Sequence, residues 1–146
     1  MLDLEKINLV KEKLEEVILD FKTIKDKRSL KYNKEQYFTI NLKKYPDKVE
    51  ILLKGIERKV NESLTELISI YNYYKKHSKK EDLIKDSGNM HSLYIVITKI
   101  NHFRHPLKEI NKKFQVRILN PHALYEDLHK IEFDLNNTVE ILKKIK

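Results

Sequence analysis

The sequence predicts an all-α protein, a four- to five-helix bundle of long antiparallel helices with one irregular or short β-hairpin excursion near residues 29–45. Three observations carry this. The 146-residue chain holds only two glycines and three prolines, whereas a barrel or sandwich needs a turn signal roughly every 8–12 residues. Apolar residues recur at steps of three and four over long stretches, the period of a helix face. The joins between those stretches are short, which favours antiparallel neighbours. The length fits one domain, 1–146, able to bury a core without disulfide staples.

The first helix is predicted at about 3–27, on the stripe Ile7, Val10, Leu14, Val17, Phe21 and Ile24. The period then fails. Phe38, Ile40 and Leu42 alternate instead, which suits an extended segment that must pack on the helices to persist. Pro46-Asp47 opens a second helix, about 47–77, with the stripe Val49, Leu53, Ile56, Val60, Leu64, Leu67, Tyr71 and Tyr74. Its two successive four-residue steps at 56–60–64 read as a stutter that unwinds the supercoil. "KKHSKKED" ends this helix, and Asp86-Ser87-Gly88-Asn89 reads as a turn or cap. A third helix starts near Met90 on the stripe Met90, Leu93, Ile97, Ile100, Arg104, Leu107, Asn111 and Phe114, widened by Val96, Phe103 and Ile110. Pro106 is expected to kink or split it near Arg104. Asn120-Pro121 starts the last helix, with Asn as cap and Pro at the first helical position. Leu124, Leu128, Ile131, Leu135, Leu142 and Ile145 line its core face.

The net charge is +8, from 30 basic and 22 acidic residues. That balance points to a polyanionic partner: RNA, a ribonucleoprotein or an acidic protein surface. Nearly all the basic residues are lysine, which base composition alone can also produce. They cluster. One group is Lys22, Lys25, Lys27, Arg28 and Lys31; a second is Lys75, Lys76, Lys79 and Lys80; a third is Lys108, Lys112 and Lys113, with Arg117 beyond. Tyr32, Tyr37 and Tyr45, then Tyr71, Tyr73 and Tyr74, interleave with the first two. Lysine beside tyrosine is the composition of a surface where bases stack and phosphates pair. The alternative is that Tyr71 and Tyr74 belong to the core and the lysines form a solvated face.

Other classes are excluded or disfavoured. With no cysteine there is no disulfide, thiolate metal site or cysteine nucleophile. No run approaches the ~18 apolar residues of a membrane span. "MLDLEKINLVKEK" scatters charge through the N-terminus, so no leader is expected and a cytoplasmic location is the default. A Gly-rich phosphate loop, a G-x-S-x-G elbow and an H-E-x-x-H are all missing. No cofactor is expected. Five of the six histidines fall between residues 91 and 129, and histidine suits proton transfer and metal ligation. Glu126-x-x-His129 has the spacing of one half of a di-iron bundle site, which needs the motif on two helices facing inward. Here it occurs once, and His122, Glu126 and His129 fall opposite the core stripe, so no metal is predicted. Phe133 continues that outward row. A phenylalanine there implies a contact, either with the loop "KYNKEQYFTINL" at 31–42 or with a second copy across the outward face of the last helix. Arg104, next to His105, lies on the apolar stripe of the third helix. It either needs a buried partner or is swung to the surface by the proline.

Arg117-x4-His122, at a helix start in a small all-α chain, resembles the R-x4-6-H motif of the HEPN family. The resemblance covers six residues and a fold class. It implies a helical bundle whose Arg and His, from two protomers, line a cleft that cleaves RNA without metal. There Arg117 would stabilise the transition-state charge and His122 would shuttle a proton. The family's polar residue after the Arg and Tyr two after the His are Ile118 and Leu124 here. The leading expectation is a small basic bundle that binds a partner, a description that also fits accessory proteins and inhibitors of phage, plasmid and defence systems. A HEPN-like RNase and a purely structural assembly protein are the alternatives.

Overall fold

The structure, a computed structural model, describes residues 2–26, 46–115 and 121–146; at 25–26, 46–48, 114–115 and 121–125 it describes the backbone alone. Five helices make up the described residues: α1 (Leu4–Asp26), α2 (Pro46–His77), α3 (Lys80–Lys85), α4 (Ser87–Gln115) and α5 (Pro121–Lys143). No strand occurs among them, and the excursion expected near 29–45 lies outside them.

Local chemistry sets the helix starts. The Asp3 carboxylate accepts the Lys6 backbone N–H at 3.1 Å and caps α1. Pro46 and Pro121 each occupy the first helical position, where the missing N–H costs nothing. α4 begins at Ser87, three residues before the expected Met90, because its first bond runs from Met90 N to Asp86 O. The short helix α3 was not expected. No side chain caps its start at Lys79, and none of its residues is buried.

α2 packs against α1 and α4, and α5 closes the ring against the same two helices. The seams are antiparallel. Lys13 meets Glu62 while Asp20 meets Lys59; Tyr71 meets Tyr94 while Asn111 meets Leu53. The Asn89 amide donates to the Lys146 carbonyl, pairing the start of α4 with the end of the chain.

The core of α1 is Ile7, Val10, Leu14, Val17, Phe21 and Ile24, as the stripe predicts. α2 and α4 differ from their predicted stripes. On α2 the buried row is Val49, Leu53, Ile56, Val60, Ser63, Leu67, Ile70 and Tyr74, a regular alternation of four and three. Ser63 is fully buried at a seam position, Leu64 is buried beside it, and Tyr71 is half-buried on the flank. The seam therefore needs no stutter: a polar residue conceals a regular heptad. Thr138 does the same on α5, between Leu135 and Leu142. On α4 the buried row is Leu93, Val96, Ile100, Phe103, Leu107 and Ile110. Residues 97, 104 and 111 flank it, so Arg104 is exposed because of its heptad phase. α4 continues as one helix through Pro106 to Gln115, and the expected split does not occur.

Asn111 is the one flanking polar residue of α4 that turns inward. Its amide reaches Leu53 O at 3.2 Å, Glu57 Oε2 at 2.9 Å and Leu107 O at 3.2 Å. A buried amide so bonded fixes the register of two helices.

Candidate nucleic-acid interface

The strongest concentration of binding chemistry lies at the end of the bundle where α2 ends, α3 crosses and α4 begins. Lys75, Lys76, Lys79 and Lys80 are all exposed there. The C-terminal turn of α2 orients Lys75 and Lys76, the α2–α3 join carries Lys79, and Lys80 opens α3. Among the described residues none of the four has a carboxylate within ion-pair distance. Lys75 lines an open groove of about 460 Å³, together with Tyr71, Leu83, Met90, His91 and Tyr94.

The tyrosines are held for stacking. Tyr71 and Tyr94 flank the seams of adjacent antiparallel helices, and their ring centroids lie 6.2 Å apart at 47°. Lys75 Nζ sits 5.9 Å from the Tyr71 centroid, within cation–π range. Tyr94 is 56% exposed, so its face is open to a planar ligand. On the α1 side of α2, Tyr73 is 68% exposed and lies over His77 with centroids 4.4 Å apart.

Tyr74 fixes α3 over this groove. It is buried, and its hydroxyl donates to the Asp86 carboxylate and reaches Asp82 O. The bond to Asp86, then burial, hold its pKa above the ordinary tyrosine value. Because α3 buries nothing itself, this contact and half-buried Leu83 hold it in place.

A second groove, of about 340 Å³, lies farther along the α2–α4 seam. It is polar, lined by Glu57, Asn61, Asn101, Arg104, His105 and Lys108. Arg104 Nη1 donates to Asn101 Oδ1 at 3.4 Å. The pocket expected at Arg104 and His105 is therefore an open surface groove, with no buried arginine.

The other expected residues divide clearly. Lys22, Lys112 and Lys113 are exposed but far from the tyrosine groove along their helices. Lys25 lies in α1 and His122 in α5 at positions described by backbone alone; Lys27, Arg28, Lys31 and Arg117 lie outside the described residues. The Arg117–His122 pair thus acquires no geometry. Glu126, His129 and Phe133 face outward as the heptad predicts, Phe133 with 63% of its surface exposed.

Sequence reasoning missed Tyr94 and His91. The signal was present: both sit one position from the seam residues Leu93 and Met90, on the flank facing α2. It becomes legible only once the α4 phase is read through Val96 and Phe103.

No helix among the described residues is long and apolar enough to cross a membrane. Comparison with protein-family models, with curated proteins and with solved structures finds no match.

Proposed function

We propose that the protein is a cytoplasmic single-stranded RNA-binding module, acting without catalysis, whose contact surface is the lysine-rich end of the bundle around Tyr71 and Tyr94. One observation carries this reading: two adjacent tyrosine rings, one largely exposed, stand beside Lys75 at the end of the bundle whose next residues include exposed Lys76, Lys79 and Lys80, none of the four with a carboxylate partner among the described residues. Each base stacked on an aromatic ring contributes about 1–3 kcal/mol, and lysines pair with the phosphates between. Lysine beside paired tyrosine rings matches the stacking and phosphate pairing of a single strand, and RNA is the polyanion that uses both. Lysine supplies point charges and lacks the bidentate fork of arginine. The binding is therefore tolerant of sequence.

The test is fluorescence anisotropy with labelled oligouridylate at about 50 mM salt, where phosphate contacts are strongest. Replacing Lys75, Lys76, Lys79 and Lys80 together by Gln is expected to weaken binding about a hundredfold, and Tyr94→Ala about tenfold. Unchanged circular dichroism shows that the fold survives. Absence of wild-type binding at this salt overturns the proposal.

A further inference from the structure

We infer that the bound strand runs along the α2–α4 seam, from the tyrosine groove to the polar groove of Asn61, Asn101, Arg104, His105 and Lys108, which binds its backbone phosphates. This rests on the single-stranded RNA reading above and gives it a path and a direction.

Four observations define the path. The two grooves open on the same pair of antiparallel helices. From Tyr94 to Lys108 is fourteen residues of α4, about 21 Å at 1.5 Å per residue, a span for a few nucleotides. α4 carries no acidic residue from Ser87 to Lys108. On α2 the acids between the grooves turn away: Glu62 pairs with Lys13 of α1, and Glu66 lines the α1 side.

Among the described residues, Glu57 is the carboxylate that lines the polar groove. Its Oε2 accepts the buried Asn111 amide at 2.9 Å, which turns that oxygen toward the seam and leaves its charge in place, outnumbered by Arg104 and Lys108. Among the described residues, Arg104 makes one side-chain hydrogen bond, at 3.4 Å to Asn101. Its guanidinium, the exposed His105 and the exposed Lys108 are left to face an anion. Asn61 and Asn101 stand on opposite walls and offer amide donors and acceptors to phosphate or base edges. Between the grooves Ile68 is 39% exposed, an apolar step against which a base can rest. The track is thus asymmetric, with base stacking at the α3 end and phosphate binding toward the other end.

The experiment is anisotropy with oligouridylates of increasing length, comparing wild type with the double variant Arg104→Gln/Lys108→Gln. Wild-type affinity is expected to rise with length until the strand spans both grooves. The double variant should match wild type on the shortest oligomers and lose the rise on longer ones. Its slope of log affinity against log salt should be shallower by about 1.4, for two phosphate contacts at about 0.7 each. Equal length and salt dependence in the two proteins overturns the path. If the path fails while the Lys75/Lys76/Lys79/Lys80 variant still loses binding, the RNA reading stands without it. If wild type binds no oligomer, both fall.

Discussion

The two flanks of α2 carry opposite electrostatics. Toward α1, charges are paired across the seam: Lys13 with Glu62 at 3.0 Å, and Lys59 with Asp20 at 3.0 Å and Glu16 at 3.5 Å; Arg58 adds a pair to Glu62 within α2 at 3.1 Å. Toward α4, the grooves present exposed Lys75, Tyr94, His91, Arg104, His105 and Lys108 beside half-buried Tyr71, and no ion pair crosses that seam among the described residues. Both seams have the same apolar interior, so packing does not explain the contrast. Each fully buried aliphatic side chain contributes about 1.5–3 kcal/mol, while an exposed ion pair contributes at most about 1 kcal/mol. Neither flank needs its charges to fold. One flank neutralises itself, and the other leaves Lys75, Arg104 and Lys108 without an ion-pair partner among the described residues.

Perturbing the two seams should separate stability from binding. Asn111→Ala, inside the α2–α4 seam, removes the donor to Glu57 and Leu53 and is expected to cost about 1–3 kcal/mol in urea unfolding. A smaller cost would show that the amide does not tie the helices. Ser63→Ala, at the centre of α2, should have the reverse sign. The Ser63 hydroxyl is buried without a hydrogen-bond partner among the described residues, so its removal relieves a desolvation cost of about 1 kcal/mol. The melting temperature should rise by about 2–4 °C.

Lys59→Met should have the smallest effect, under about 1 kcal/mol, because the pair it breaks is partly solvated. RNA affinity should not change. The same lysine contributes to the pH dependence. Hydrogen bonding to Asp20 raises the Lys59 pKa above its ordinary 10.5, and hydrogen bonding to Asp86 raises that of Tyr74 above its ordinary 10.0. A raised folded pKa gives stability that is fully present below the ordinary value and lost as pH rises through the raised one. Unfolding free energy should therefore fall on the alkaline side, above about pH 10, and Tyr74→Phe should flatten part of that fall.

How much of this was legible follows from which residues occupy the seams. α1 could be read completely because every seam position is aliphatic or aromatic. α2 and α5 were read with a gap because Ser63 and Thr138 occupy core positions, and hydrophobic periodicity does not register a buried hydroxyl. α4 was misphased because Ile97 lies on the flank of Arg104 and Asn111, which drew the stripe one position off its true row. α3 left no signal, since a six-residue helix with nothing buried has no apolar face. The lysine clusters and Tyr71 were visible in composition. The Tyr71–Tyr94 pair was not, because it exists only where two antiparallel helices meet.

The most direct test of the central claim is the salt dependence of oligouridylate affinity in two variants, one for each flank of α2. For wild type on a strand that spans both grooves, six phosphate contacts predict a slope of about −4.2 in log affinity against log salt, and Lys59→Met should keep that slope. The Lys75/Lys76/Lys79/Lys80→Gln variant should reduce it to about −1.4, the share of Arg104 and Lys108. Equal slopes in the two variants, or no salt dependence in wild type, would contradict the account.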